Sequence, residues 1–344
     1  MFYIHQSTCI SPQQTFSDVD LENINPPVNN KVYAIEPAYK GIPAGVIRRM
    51  GKAVRMGVGS ALPLLMENKI DGIVISTANG GIQDSLTFLN QIVDYQEGRL
   101  TPTHFVQSTY NAIAGQLGMI TKNKGYNATH VHHGLAFENA VLDVTMLLFE
   151  YPDNAYILGG VDELSERNSR LEALDGWYKD EPVAGLYDGD SKGTLAGEGA
   201  AMYVVSNNRE GATAKFIAVK MLNTYKEELV PQQLQEFIKA NLPEGTQIDL
   251  LITGENGDNR IMKYYTAVES LFGPETTVAR FKHLTGEFQT ASALATWFAC
   301  YMLQTQNVPG HFIKRGDIPK AINTILLYNT YKGGQHSFML LQKA

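Results

Sequence analysis

Short runs of Val, Ile and Leu alternate along the chain with stretches whose apolar residues recur every three or four positions. The short runs are typical of buried strands, and the longer periodic stretches are typical of helices. Strands are predicted at the chain start and at 31–36, 71–77, 128–133, 155–163, 200–206, 214–222, 248–254, 323–330 and 337–343. Helices are predicted at 43–68, 83–97, 105–119, 134–150, 231–241, 260–272 and after Gly286. Alternation of this kind predicts an α/β protein, and without a Pro- or Ser-rich linker we expect one packed body.

Composition narrows the class of protein. The 344 residues are 44% hydrophobic and 18% charged, which is typical of a soluble globule. A net charge of −7 without a basic block argues against a nucleic-acid surface. No apolar stretch reaches the roughly 18 residues of a membrane span, and the start, MFYIHQSTCI, lacks the pattern of a secretory signal. We therefore expect a cytoplasmic protein.

Cysteine usage limits the chemistry further. Cys9 lies on the opening strand and Cys300 in a C-terminal helix, and there are no others. Two cysteines exclude a disulfide scaffold and a thiolate metal site. We expect both to be small buried hydrophobic residues.

Six segments of the sequence occur in an order that points to one family. They are HFVQSTYNAIAGQLGM, the helix following HVHHG, the Gly-Gly-Val-Asp turn, AGEGAAMYVVS, FKHLTGEFQTASALA and YKGGQHSFMLL. From about Gly41 onward the chain resembles a β-ketoacyl synthase. The resemblance implies a thiolase-like fold with two similar halves, 1–206 and 207–344. The halves would pack as one body of five αβαβα layers, and two such bodies would form a dimer.

The resemblance also implies an activity, decarboxylative Claisen condensation on an acyl carrier protein. Working members use a Cys at a buried helix N-terminus, which lowers the thiol pKa, and two His that stabilise developing negative charge. Here His133 stands at the Cys position, and the segment 253–258, where the first His is expected, contains none. Glu287 stands at the second His position, five residues after a retained Lys282. We expect Lys282 and Glu287 to form an ion pair that closes the former active site.

Other candidates lie near these positions. His130 and His132 share a face with each other if the strand extends to the turn, and they cluster with His133. Their spacing matches no strong metal motif, so we predict no metal and interpret His133 as a hydrogen-bonded plug, with a metal site and residual catalysis as alternatives. Glu138 is expected to pair across the core or with a dimer partner. Gly333 and Gly334 match the Gly-rich loop that shapes the acyl pocket in the family.

Two hypotheses of function follow, together with a third that is structural. The first is a non-condensing, chain-length-factor-like subunit of fatty acid or polyketide-type biosynthesis, most like those of aryl-polyene and flexirubin pathways. Its expected partners are an acyl carrier protein and an active ketosynthase. The alternative is a divergent acyltransferase or hydrolase using His133 and Glu287. A self-associating scaffold or carrier-protein binder without an acyl tunnel is the third. The dinucleotide fingerprint GxGxxG is absent, and we expect no cofactor.

We also expect a homodimer or heterodimer, because the family works as a dimer. The segment 104–119 is predicted to be the interface helix. Its apolar residues are Phe105, Tyr110, Ile113 and Leu117, and its polar residues facing the tunnel or partner are Gln107, Asn111 and Gln116.

Overall fold

The computed structural model describes residues 1–183 and 185–344. The strands are β1 (Phe2–Ile10), β2 (Gly72–Ser76), β3 (Tyr126–His130), β4 (Ala155–Asp162), β5 (Gly199–Ser206), β6 (Ala214–Asn223), β7 (Leu250–Thr253), β8 (Thr277–Arg280), β9 (Ile313–Arg315), β10 (Thr324–Tyr331) and β11 (Gln335–Lys343). The helices are α1 (Ala44–Ile47), α2 (Lys52–Glu67), α3 (Ile82–Asp94), α4 (Pro102–Gln107), α5 (Ala112–Thr121), α6 (Ala136–Glu150), α7 (Glu166–Leu174), α8 (Leu229–Asn241), α9 (Met262–Glu269), α10 (Lys282–Thr285) and α11 (Ala291–Thr305). Two 3₁₀ turns, His133–Leu135 and Gly310–Phe312, complete the set.

The strands form one hydrogen-bonded sheet whose order repeats. The order is β3-β2-β4-β5-β1-β6-β11-β10-β7-β8-β9. The first five strands and the next five are mirror copies in this list, with β1 matching β6 and β3 matching β8. The halves meet where β1 pairs antiparallel with β6 over Phe2 to Ile4. This short join positions the two halves face to face around a common middle layer.

Five layers result from this arrangement. α6 and α11 lie in the middle, within one apolar cluster that contains residues from both halves of the sheet. α2 and α5 cover the outer face of the first half, and α8 and α9 cover that of the second. The expected α/β, thiolase-like αβαβα architecture is confirmed.

Several predicted elements differ from the observed ones for physical reasons. The helix predicted at 43–68 is broken before Gly51, where a Cβ atom would lie 1.7 Å from Asp84 Oδ2. The helix predicted at 105–119 is two helices, because the Ser108 and Thr109 hydroxyls donate back to Phe105 and Val106 carbonyls. The segment 31–36 forms only single bridges rather than a strand. Within the described residues, no helix combines the length and hydropathy needed to cross a bilayer.

Candidate functional site

The turn between β3 and α6 presents His133. Its backbone has φ of +47°, a left-handed conformation that is unusual for a residue other than glycine, and its side chain is exposed. The Gly134 N–H donates to Gln335 Oε1 at 2.9 Å, so a side-chain amide already occupies this donor at the start of α6. A Cβ atom at Gly134 would lie 2.2 Å from Tyr331 Cβ. Tyr331 therefore packs directly under the turn.

A buried ion pair lies where the resemblance leads us to expect the second family histidine. Lys282 Nζ lies 2.6 Å from Glu287 Oε1, and the lysine is fully buried. Asn256 Nδ2 donates to the other carboxylate oxygen, Glu287 Oε2, at 2.8 Å. The contact expected from the spacing of Lys282 and Glu287 is present, and both oxygens of Glu287 have partners.

The segment 253–258, where the resemblance leads us to expect the first family histidine, contains Gly254. A Cβ atom here would lie 2.0 Å from Asn329 Oδ1. Asn329 is buried on β10, and its Oδ1 has no hydrogen-bond partner in the described part of the chain. A histidine at this position would therefore collide with Asn329 unless that side chain were changed too.

Little space remains between these groups. A cavity of about 20 Å³, enough for about one water molecule, adjoins Glu287, Asn256 and Tyr331. Gln289 closes another side, donating from Nε2 to the Tyr331 hydroxyl at 3.2 Å. Burial raises the pKa of Tyr331 above its usual value, so this phenol stays neutral. The space beside Glu287 is filled by polar and aromatic side chains.

The three clustered histidines do not act together. His130 Nε2 lies 2.7 Å from Asp143 Oδ2 on α6, while His132 and His133 are exposed. Among residues 1–183 and 185–344, the His133 side chain has no hydrogen bond, so the hydrogen-bonded plug is wrong. Tyr331 and Gln289, rather than His133, fill the space. The pair required by the acyltransferase or hydrolase alternative is also not formed, since Glu287 is bound to Lys282 and Asn256.

Glu138 is the most buried acidic group near the site. Its side chain is 0% exposed, and neither carboxylate oxygen has a hydrogen-bond partner within the described residues. No ion pair of Glu138 across the core is present within the described residues, and pairing with a dimer partner stays a prediction. Burial raises the pKa of Glu138, and the neighbouring Ser337 and Ser292 hydroxyls and the Lys282 charge offset only part of that rise. A neutral carboxylic acid is the form that this environment favours.

The Gly-rich turn is packed rather than open. Gly333 has φ of +67°, and a Cβ atom there would lie 3.0 Å from Ile261 and Tyr264 atoms. A Cβ atom at Gly334 would lie 2.6 Å from the Tyr225 ring. Both glycines permit close packing, while the neighbouring Tyr331 and Lys332 line the residual cavity.

Neither cysteine can act as a nucleophile. Cys9 and Cys300 are buried and free, as expected. Burial raises the pKa of each thiol to about 12. A thiol in this state carries essentially no thiolate at neutral pH.

The segment predicted as the interface helix divides into buried and exposed parts. Ile113 and Leu117 on α5 pack into the chain's own outer-layer core, and Leu117 is 0% exposed. Placing these two at an interface was wrong, because the break at 108–111 turns α5 inward. Phe105 and Tyr110 are exposed as expected. Gln107 and Gln116 border a surface groove instead of a tunnel.

Residues that sequence reasoning missed complete the site. Asn256, Gln289 and Tyr331 contact Glu287 or one another, and Trp177 borders the cavity from a distant loop. None carries a local motif, because each comes from a different segment of the chain. Gln289 and Tyr331 lie within segments that carry the resemblance, whereas Asn256 and Trp177 lie outside them.

Comparisons with known proteins show which families and folds this chain resembles. Residues 25–163 match the family model described as beta-ketoacyl synthase, N-terminal domain. A search of curated proteins finds no significant match.

Solved structures resemble the whole chain. A beta-ketoacyl synthase from Burkholderia phymatum STM815 superposes with a TM-score of 0.78 at 13% identity, covering 100% of this chain and 99% of its own. The ishigamide ketosynthase/chain length factor gives 0.78 at 12% identity, covering 100% and 99%. The ketosynthase ApeO in complex with its chain length factor ApeC, from Xenorhabdus doucetiae, gives 0.77 at 14% identity, covering 100% and 98%. The chain therefore has the thiolase-like fold of the β-ketoacyl synthases throughout, and its residues 25–163 match the N-terminal domain model of these proteins.

Proposed function

We propose that this chain is a non-condensing, chain-length-factor-like subunit that pairs with an active β-ketoacyl synthase and a carrier protein in polyketide- or polyene-type biosynthesis. The observation that carries the proposal is the state of Glu287. Its two oxygens are held by Lys282 and Asn256, at the place where the family resemblance puts a catalytic histidine. The resemblance also places His133 at the position of the nucleophilic Cys. It leaves both positions of the enolate-stabilising histidines, in the segment 253–258 and at Glu287, without a histidine.

The filled pocket supports the same proposal. A cavity of about 20 Å³ cannot hold a growing acyl chain, whereas ligand pockets are usually at least about 300 Å³. An acyl chain built in this assembly would therefore lie in the partner or between the subunits. No observation favours the acyltransferase or hydrolase alternative.

An exposed apolar face supports a protein partner. Leu142, Met146 and Phe149 recur along the outer side of α6, and Phe149 is 91% exposed. α6 lies against β3, the first strand in the sheet order and thus an edge with unpaired backbone groups. An apolar stripe beside a free strand edge is typical of an interface. A homologous partner presenting the same elements would pair with it.

A basic surface supports an acidic partner. Arg48 and Arg49 are exposed in the turn after α1, and within the described residues neither forms an ion pair. They face solvent on a chain with a net charge of −7. We assign this surface to docking of an acidic carrier protein, in line with the solved complex of a ketosynthase and its acyl-carrier protein that shares this fold.

Two measurements test the proposal. The isolated protein should neither take up an acyl group from acyl carrier protein nor decarboxylate malonyl groups. Co-expressed with a ketosynthase encoded beside it, the chain should appear by native mass measurement as a one-to-one complex. Phe149→Asp should lose that partner, while Leu171→Asp on α7 should keep it. Condensation by the isolated protein, or a stable monomer in the presence of every neighbouring ketosynthase, would overturn the proposal.

A further inference from the structure

A cover of side chains lies over the residual cavity. From the end of α7 and the turn after it, Glu172, Trp177 and Tyr178 line this cavity opposite the wall that Asn256, Glu287 and Tyr331 form. The cover is anchored from below by backbone hydrogen bonds that Thr194 N–H and Lys179 N–H form with Trp177 and Thr194 carbonyls at 3.0 Å. Trp177 is its central side chain.

Trp177 is held between two cations. The Arg260 guanidinium lies 4.2 Å from the indole centroid, and Lys332 Nζ lies 4.9 Å from it. The indole N–H donates to Asp175 Oδ2 at 2.6 Å. Cation–π contacts of this kind fix the orientation of a ring that would otherwise be free to rotate.

Each cation is itself tied to both sides of the mouth. Lys332, which follows Tyr331 on the cavity wall, forms an ion pair with Glu172 Oε2 at 2.6 Å. Arg260 binds Asp258 and donates to the Gly176 carbonyl at 2.7 Å. Arg260 therefore joins the cover to the loop 256–261, and Lys332 joins it to the turn after β10.

We propose that this Trp177 cover keeps the prosthetic arm of a carrier protein out of this chain, so that the arm enters only the partner subunit. That the excluded group is the prosthetic arm of a carrier protein rests on the proposed function. The cover itself rests on the contacts of Trp177, Arg260 and Lys332, and it makes Trp177 the residue that decides which subunit accepts the arm.

Thr194 offers a probe position beneath the cover. Its side chain lines the cavity, is 2% exposed, and has an Oγ1 without a partner in the described residues. Thr194→Cys places a thiol of similar size there, and Cys9 and Cys300 are buried and give little background. Asp180→Cys, at a side chain that is 68% exposed, reports the reactivity of an uncovered thiol.

The experiment measures labelling rates with iodoacetyl-pantetheine on the full-length protein. We expect Thr194→Cys to react at least tenfold more slowly than Asp180→Cys. Adding Trp177→Ala should raise the Thr194→Cys rate at least tenfold and leave the Asp180→Cys rate unchanged. Lys332→Ala should act in the same direction, and it serves if the Trp177 variant fails to fold, which melting curves reveal. Lys263→Ala, which removes a cation from Tyr264 but not from the cavity wall, should have no effect.

Equal labelling of Thr194→Cys and Asp180→Cys, or no acceleration in folded Trp177→Ala and Lys332→Ala variants, would overturn the cover. These outcomes are independent of the proposed function. Condensation by the isolated wild-type protein would contradict the non-condensing role, whereas fast labelling under an intact cover would contradict only this inference.

Discussion

Lys282 Nζ and Glu287 Oε1 lie 2.6 Å apart, and the lysine is fully buried. Each group neutralises the charge of the other. A buried lysine without this carboxylate would be an uncompensated charge, and a buried carboxylate without the lysine would be one too.

Breaking this pair should therefore destabilise the protein strongly. We expect Glu287→Gln to lower the free energy of unfolding by about 3–5 kcal/mol, measured by urea denaturation. The double variant Glu287→Gln with Lys282→Met should recover a large part of that loss, because no charge remains buried. A loss below about 1 kcal/mol in the single variant would contradict the pair's role.

Glu138 should make stability depend on pH above about pH 4.5. Its folded pKa is raised by burial, so the unfolded state releases the proton first as the pH rises above about 4.5. Stability from this group is complete below that pH and is lost as the pH rises through the folded pKa. We expect Glu138→Gln to flatten this decline, measured by urea denaturation at a series of pH values, so that the variant gains stability relative to wild type as the pH rises.

Glu36 serves as a control because its pKa is shifted in the opposite direction to that of Glu138. Burial acts to raise its pKa, but hydrogen bonds from Arg55 and Tyr39 outweigh burial and lower it. Its contribution is present above the unfolded pKa and lost as the pH falls, so Glu36→Gln should alter the acid side of the profile. The same change of slope in both variants would count against the assignment of Glu138.

His283 should make the protein acid-sensitive. Burial, His311 and Arg280 together lower the pKa of His283 to about 3. The unfolded chain gains a proton near pH 6.5, so the stability from neutral His283 is present above that pH and lost as the pH falls towards 3. The loss between pH 6.5 and pH 5 should be about 2 kcal/mol, at about 1.36 kcal/mol per pH unit. His283→Gln should remove this slope, while His132→Gln, at an exposed position, should retain it.

Phe149 and Leu117 should separate association from folding. Phe149→Asp changes an exposed side chain on α6, so the isolated protein should keep its melting temperature but lose self-association or partner binding in analytical ultracentrifugation. Leu117→Asp introduces a charge into the core and should cost more than about 3 kcal/mol of stability. A Phe149→Asp protein that still forms the complex at micromolar concentration would place the interface elsewhere.

Periodicity predicted most of the long elements. β2, β4, β5, β6, α8, β10 and β11 lie within a few residues of their predicted bounds, and α11 follows Gly286 as predicted. These segments have strong apolar patterns whose period matches their structure. α7 and β8 were missed, because α7 is polar with a single buried residue and β8 has only four residues.

The sequence by itself predicted the fold class and placed His133 where the resemblance expects a nucleophile, because both depend on residue types in a fixed order. Only the tertiary structure showed which side chains line the cavity beside Glu287. Tyr331, Asn256, Gln289 and Trp177 come from four separate segments, and no local pattern links residues that meet only after the sheets pack. The inward direction of Ile113 and Leu117 was likewise decided by the break between α4 and α5, since a helix rotates its faces by about 100° per residue. The amino-acid sequence sets which side chains are available. The close packing of distant segments sets which of these side chains share a site.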